Sequence, residues 1–198
     1  MNEVVTYIDR ELFDKVKELI QDHKKVVEFS EGYIDDIARA AQIIRDCIQR
    51  EGKLMFCGNG GSAADAQHLA AEFVGRFGRE RRAYPAIALT TNTSIMTAIG
   101  NDYSFDVVFA RQIEAIAEKS DVLVAISTSG NSLNVVRAAE TAQRIGVKVI
   151  GMTGAGGGKL KELCDCCLCV PSSSTPRIQE IHILMGHIIC ELVEAALC

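Results

Sequence analysis

Two pairs of residues carry side chains that could perform acid–base or metal chemistry. His68 and Glu72 stand four residues apart, so on a helix they share one face. Gln179 and His187 stand eight apart, along one i, i+4 row of a second predicted helix. An imidazole and a carboxylate on one face can hold a metal ion or move protons. For His187 taken alone, a packed core histidine is the alternative, and we expect His182 to be a packed or capping imidazole.

A glycine-rich loop comes just before the first of these pairs. The apolar run from Leu54 to Cys57 predicts a buried strand, and Gly58-Asn59-Gly60-Gly61-Ser62 follows it. Glycines allow a tight turn and a close backbone approach to a ligand, and Ser62 is placed to cap the next helix. A strand, a glycine loop and a helix N-terminus direct backbone N–H groups at one spot. This arrangement favours an anion or a polyhydroxylated ligand.

A second loop, Ser127-Thr128-Ser129-Gly130-Asn131-Ser132, follows another predicted strand and precedes a helix. Its hydroxyls and the N–H groups of the helix suit a phosphate monoester. It lacks the Gly-Lys-Ser/Thr of the nucleotide-binding P-loop. A turn that merely caps its helix is the alternative. The position of the loop directly after a core strand favours phosphate binding.

The elements that must position these residues alternate between strand and helix. Apolar runs predict strands at 54–57, 86–89, 122–127, 147–152 and 166–170. Helices are predicted at 3–26, 32–51, 63–76, 94–99, 105–117, 132–145, 158–163 and 177–197. This alternation predicts an α/β fold with a parallel sheet covered by helices on both faces. In such sheets, ligands bind at the carboxyl ends of the strands, where the strand order reverses.

The chain of 198 residues predicts a single domain, with residues 1–51 as a leading helical pair and residues 52–198 as an α/β core. No repeat or long linker divides it. The first leading helix is amphipathic, and we expect the pair to serve in packing or in subunit contacts. The apolar side of that helix consists of Val5, Ile8, Leu12, Phe13, Val16, Leu19 and Ile20.

The charge and composition exclude several classes of protein. A net charge of −5 and a pI near 5.4 argue against a general nucleic-acid binder, which needs clustered Lys and Arg. No apolar run approaches the roughly 20 residues of a membrane helix. The N-terminus lacks the apolar core of a signal peptide. We therefore expect a cytoplasmic protein whose eight cysteines are reduced thiols.

Two clusters of similar residues leave alternatives open. Cys164, Cys166, Cys167 and Cys169 could form a thiolate metal cluster, or they could fill space in a strand at 166–170. The alternation of a strand directs Cys167 and Cys169 away from Cys166, which opposes joint ligation of a metal. A basic patch follows the first site helix, and we expect a solvated or subunit-contact face there. It consists of Arg76, Arg79, Arg81 and Arg82.

Five stretches of the sequence resemble the phosphoheptose isomerases of the sugar isomerase (SIS) domain family. These are residues 57–62, 67–73, 100–102, 126–132 and 177–187, and the similarity runs over essentially the whole chain. The Ser/Thr loop alone marks the wider family of phosphosugar binders. His-x3-Glu together with Gln-x7-His is much more specific to the isomerases.

The resemblance implies a doubly wound sheet and a homotetramer with active sites at subunit interfaces. It also implies one zinc ion per subunit and a phosphosugar substrate. The implied reaction converts D-sedoheptulose 7-phosphate to D-glycero-D-manno-heptose 7-phosphate, the first step towards nucleotide-activated heptose.

The resemblance further implies roles for individual residues. The catalytic pair would be Glu72 and His187, with Glu72 as the carbon base. The zinc ligands would be His68, Glu72, Gln179 and His187. The sugar would be held by Asn59, Gly60, Gly61, His68, Glu72, Asn101, Asp102 and Gln179. The phosphate would be held by Ser127, Thr128, Ser129 and Ser132.

A function of another class remains as the alternative. Some relatives of these isomerases are not enzymes. One kind is an adaptor that binds the bacterial replication initiator, and others are phosphosugar sensors. The adaptor shares the glycine and serine loops but lacks the Glu and the final His of the two helix motifs. This chain has both, at Glu72 and His187. The sequence therefore favours the enzyme.

Overall fold

The structure is a computed structural model that describes residues 9–198, with the backbone alone at positions 30 and 31. The start of the first predicted helix, including Val5 and Ile8, lies outside the described residues. Within the described range, no helix is both long enough and apolar enough to cross a membrane.

Five short strands form one parallel sheet, as the alternation of elements predicts. The strands are β1 (Leu54–Gly58), β2 (Ala86–Ala88), β3 (Val122–Ser127), β4 (Lys148–Thr153) and β5 (Cys166–Cys169). Their order across the sheet is β2-β1-β3-β4-β5. The chain moves outward from β1 to β2 and then crosses back to β3, so the order reverses between β1 and β3. This reversal confirms the doubly wound sheet, and it places the loops after β1 and β3 side by side.

Helices cover both faces of this sheet. Alternate residues of β1 face the two sides, because side chains alternate along a strand. The helices are α1 (Arg10–Ser30), α2 (Ile34–Gln49), α3 (Gly61–Val74), α4 (Thr93–Asp102), α5 (Ala110–Ile116), α6 (Leu133–Ile145), α7 (Gly158–Lys161) and α8 (Thr175–Leu197). Leu54 and Phe56 join the buried layer formed with α2, α3 and α8, whereas Met55 and Cys57 join the layer formed with α5 and α6.

Two details of the sequence prediction are wrong. The helix predicted at 105–117 is divided into a 3₁₀ turn at Phe105–Val107 and the helix α5. Val108 and Phe109 are fully buried at the break, so tertiary packing overrides the helical pattern there. Ser62 does not cap α3, because that helix already begins at Gly61 and its N-cap is Gly60. Gly60 has a φ of 56°, which only glycine adopts without strain.

The two leading helices differ in how much of their apolar surface the chain covers. Helix α2 buries Ala40, Ile44 and Ile48 in the same layer as α8. Helix α1 leaves a stripe of apolar side chains between 44% and 63% exposed, namely Leu12, Phe13, Val16, Leu19 and Ile20. The division into residues 1–51 and 52–198 of one domain stays a prediction.

Candidate active site

Helices α3 and α8 run side by side in the same direction, and they bring the two predicted residue pairs together. Near the start of α3, a Cβ atom on Gly61 would collide with the side-chain amide of Gln179. Two turns further along, a Cβ atom on Gly186 would lie 2.6 Å from Leu69 Cδ2. Gly186 therefore allows a close approach of the helices beside His187. Sequence reasoning missed Gly186, although a glycine inside a helix costs stability and so signals a packing role.

His68, Glu72 and His187 form one cluster at this contact. His68 Nε2 lies 2.8 Å from His187 Nε2 and 3.4 Å from Glu72 Oε1. The ring of Phe77 packs against the His187 ring, with 5.5 Å between the centroids. The side chain of His68 is 47% exposed and that of Glu72 is 21% exposed, so the cluster opens to solvent in a single chain.

The donor set of this cluster can hold a metal ion. It offers two imidazole nitrogens and one carboxylate oxygen, all within 4.8 Å of one another. Zinc takes such nitrogen and oxygen ligands, and its catalytic sites commonly have three protein ligands and one open position. Gln179, the fourth predicted ligand, lies two turns before His187 on α8, with its amide over Gly61.

The two predicted ligand loops are tied to each other. The side-chain amides of Asn59 and Asn134 exchange two hydrogen bonds, each 2.9 Å long. Asn134 also accepts a hydrogen bond from the backbone N–H of Val135. This pair fixes the glycine loop after β1 against the first turn of α6. Sequence reasoning missed Asn134, and the available signal was a polar residue among the apolar Leu133, Val135 and Val136 of the first turn.

The Ser/Thr loop makes a tight turn directly after β3. Gly130 has a φ of 65°, and its N–H donates to the Ser127 carbonyl over 2.9 Å. The Ser127 hydroxyl donates to the Ser132 hydroxyl over 3.0 Å. Ser132 is the N-cap of α6, yet its side chain makes no capping hydrogen bond. This geometry opposes the alternative in which the hydroxyls of the loop merely cap the helix.

Asn101 and Asp102 lie at the end of α4, after the edge strand β2. The Asn101 amide donates to an Asp102 carboxylate oxygen over 2.9 Å, and both residues are exposed. Their role as sugar contacts stays a prediction.

Asp65 is a further acidic residue beside the cluster, and sequence reasoning missed it. It lies one turn before His68 on α3, and its Oδ2 atom is buried without a hydrogen-bond partner. Burial raises the pKa of Asp65 to about 6, although the nearby His68 opposes that increase. Its i, i+3 spacing from His68 was the available signal.

The prediction of an exposed basic patch is wrong for Arg81. Arg81 Nε lies 2.8 Å from Glu194 Oε1, and both side chains are only 4% exposed. Arg81 also donates to the carbonyl of Glu72 over 2.8 Å. Glu194 accepts hydrogen bonds from the backbone N–H groups of Phe77, Gly78 and Arg79. Arg81 is buried because it satisfies the free carbonyl groups at the end of α3 and pairs with α8. We call the pair of Arg81 and Glu194 the α3–α8 clasp.

Two other expectations are confirmed by the packing. His182 is fully buried, with Nε2 3.1 Å from the Thr153 carbonyl oxygen, so it is a packed histidine. Cys166 Sγ contacts the Asp36 carbonyl on one face of β5, whereas Cys167 and Cys169 contact each other on the other face. This alternation supports the interpretation of the cysteine stretch as a strand.

Comparisons with known proteins agree with this geometry. The family model described as SIS domain matches residues 17–154. A protein of Rhodospirillum rubrum named phosphoheptose isomerase is 60% identical over 162 residues, which cover 82% of this chain and 86% of that protein. A protein of the same name from Roseiflexus sp. is 49% identical over 197 residues, covering 100% of this chain and 98% of that protein.

The solved structures give the same result. A structure of phosphoheptose isomerase from Neisseria gonorrhoeae matches with a TM-score of 0.89 and 42% identity, over 93% of this chain and 99% of that chain. Together with the family model and the two relatives, this match settles the family. The chain belongs to the SIS domain family and, within it, to the phosphoheptose isomerases.

Proposed function

We propose that this protein isomerises D-sedoheptulose 7-phosphate to D-glycero-D-manno-heptose 7-phosphate. The observation that carries the proposal is the convergence of His68, Glu72 and His187 from helices 119 residues apart in sequence. The relatives at 49% and 60% identity are named phosphoheptose isomerase. They give no support to the adaptor or sensor alternative.

The distance from the glycine loop to the cluster suits a long sugar phosphate. Gln179 and Gly61 mark the level of the glycine loop on α8 and α3, and His187 and His68 mark the level of the cluster. Seven to eight helical residues separate the two levels, which is about 10–12 Å at 1.5 Å per residue. A seven-carbon chain with a terminal phosphate is of similar length. Its phosphate would lie in the Ser/Thr loop, bound by Ser127, Thr128, Ser129 and Ser132, while its reacting carbons reach the cluster.

The reaction moves one proton between C1 and C2 and a second proton between the two oxygens. The carboxylate of Glu72 serves as the base that takes the proton from carbon. The imidazole of His187 transfers the second proton between the two oxygens. Groups that stabilise the enediolate lower the barrier further. In this proposal the sugar is held by Asn59, Gly60, Gly61, Asn101, Asp102 and Gln179.

We propose zinc as the cofactor, because two imidazoles and a carboxylate are ligands that zinc accepts. His68, Glu72 and His187 would hold it. Gln179 stays a predicted fourth ligand only, because its amide lies against Gly61, about two helical turns from the cluster. When bound, zinc supplies a Lewis acid for the oxygens of the substrate. A carboxylate held tightly by a metal is a weakened base, so either Glu72 would release the metal during turnover or the metal would be loosely bound and structural.

The open face of the cluster fits a site completed by a second subunit. Because His68 is half exposed, the substrate would remain in contact with water in a single chain. The exposed apolar stripe of α1 offers a surface for association. The proposal therefore includes a homotetramer, located in the cytoplasm, with active sites at subunit interfaces.

Incubation with sedoheptulose 7-phosphate tests the activity directly. We expect an aldose phosphate to form, and metal analysis before and after chelation to show parallel loss of zinc and of turnover. Absence of any aldose product from the metal-loaded protein would overturn the isomerase. Full activity after complete metal removal would overturn the role of zinc alone.

A further inference from the structure

Two cysteines outside the proposed active site form a C-x-x-C pair, Cys164 and Cys167. Both sulfurs lie over Gly151 of β4, which pairs in register with Cys167. A Cβ atom on Gly151 would lie 2.5 Å from Cys164 Sγ and 3.1 Å from Cys167 Sγ. Glycine at this position therefore provides the space in which the two sulfur atoms meet.

The surroundings of Cys167 favour its thiolate. A hydrogen bond from the Cys164 thiol lowers the pKa of Cys167 to about 6, against the opposing effect of burial. Thr153, Cys169 and Lys161 lower it further, and Cys169 Sγ lies 3.6 Å from Cys167 Sγ. The pKa of Cys164 is raised, because its thiol donates that hydrogen bond and is itself buried. A thiolate next to a protonated thiol is the usual arrangement of a redox-sensitive pair.

We propose that Cys167 is a peroxide-sensitive thiol that forms a reversible disulfide with Cys164. The Cys167 thiolate attacks hydrogen peroxide, so an S–O bond forms, the O–O bond breaks, and the departing hydroxide takes up a proton to become water. The Cys164 sulfur then displaces the hydroxyl of the sulfenic acid. An S–S bond forms, the S–O bond breaks, and a second water leaves with the Cys164 proton. The two thiols lose two electrons in total, and the peroxide accepts them.

This disulfide is coupled to the Ser/Thr loop through α7. The single thiol proton of Cys164 is shared between the Cys167 thiolate and the Leu160 carbonyl oxygen, which lies 3.0 Å from Cys164 Sγ. The Leu160 N–H in turn donates to the Gly130 carbonyl over 3.0 Å. Oxidation removes the thiol proton and therefore the hydrogen bond to Leu160. This part of the inference rests on the proposed function: we expect the KM for the phosphosugar to rise several-fold, with little change in kcat, and a dithiol reductant to reverse the effect.

Peroxide treatment of the whole protein at neutral pH, followed by alkylation and peptide mass spectrometry, tests the disulfide without any need for activity. We expect the segment that contains both cysteines to lose two hydrogens, with Cys164 and Cys167 protected from alkylation. Cys167→Ser should abolish this change. Cys164→Ser should leave Cys167 as a sulfenic acid that a dimedone probe traps.

Two matched variants serve as controls for these measurements. Cys166→Ser alters a thiol on the opposite face of β5, and Cys198→Ser removes an exposed thiol. Both should form the disulfide as the original protein does. A disulfide that persists in Cys167→Ser, or oxidation of Cys198 before Cys167, would overturn the proposal. If the disulfide forms and KM does not change, only the coupling to the Ser/Thr loop is rejected.

Discussion

At the scale of single residues, Glu72 gives the sharpest test of the chemistry. Glu72→Gln keeps the shape of the side chain but removes the base, so we expect turnover to fall by about 10²–10⁴-fold. The measurement is kcat with sedoheptulose 7-phosphate at saturating substrate. Glu80→Gln is the matched control, because Glu80 is an exposed residue beyond the same helix. Equal kcat values for the two variants would remove Glu72 from the role of carbon base.

His182 makes the stability of the protein depend on pH. Burial lowers its pKa from 6.5 to about 4, although its contact with the Thr153 carbonyl raises it. Between these pH values the unfolded chain binds a proton that the folded chain does not, so stability falls as the pH drops from 6.5 towards 4. At about 1.4 kcal/mol per pKa unit, the loss reaches about 3 kcal/mol.

The contribution of His182 is measured as the difference in the pH dependence of stability between the original protein and His182→Gln. Asp65 acts in the opposite direction, because its pKa is raised and the folded state therefore gains a proton first. His182→Gln retains a donor for Thr153 but does not titrate over this range. We expect denaturant unfolding of the variant to lose less stability on acidification than the original protein does. Parallel curves for the two proteins would contradict the assignment.

At the scale of elements, the α3–α8 clasp joins the two helices that carry the candidate active site. Burial opposes ionisation of Glu194, but hydrogen bonds from Gly78, Arg79, Phe77 and Arg81 outweigh it and lower its pKa to about 2. Glu194→Gln leaves the buried Arg81 charge unpaired, which typically costs about 3–5 kcal/mol. We expect that loss in the free energy of unfolding, measured by urea denaturation.

The exposed pair Arg76 and Glu80 provides the comparison for the clasp. Its disruption by Glu80→Gln should cost no more than about 1 kcal/mol, because exposed ion pairs contribute little. The double variant Arg81→Met with Glu194→Gln should recover part of the loss, since no buried charge then remains. A cost for Glu194→Gln as small as that for Glu80→Gln would show that the clasp does not hold the helices.

Local sequence patterns predict the elements well, but not the contacts between them. The apolar runs before Gly58 and Ser127 predict β1 and β3, because buried parallel strands need continuous apolar sequence. The helical spacing of His68 and Glu72 likewise places them on one face. The pairing of Arg81 with Glu194 spans 113 residues, and that of Asn59 with Asn134 spans 75. No local pattern encodes such distant partners. The sequence alone therefore assigns Arg81 to a surface patch, although it is buried.

At the scale of the whole molecule, we expect the apolar stripe of α1 to form subunit contacts in the proposed homotetramer. Val16→Glu adds one negative charge in the middle of the stripe, so we expect this variant to sediment as smaller species than the original protein in sedimentation velocity experiments. Gln21→Glu adds the same charge at an exposed position of the same helix, and it should leave the assembly intact. If Val16→Glu sediments as the original protein does, the stripe is not the contact between subunits.

Helix α8 follows the sheet and both ligand loops along the chain, so it is made after them during translation. The ribosome completes the sheet, both ligand loops and two of the three cluster residues before Thr175, the first residue of α8, is added. Ile181 and Met185 of that helix also complete one buried layer. The candidate active site and this layer are therefore completed together, when α8 is made. A chain cut short before this helix would expose apolar surface to water and would lack His187 of the cluster.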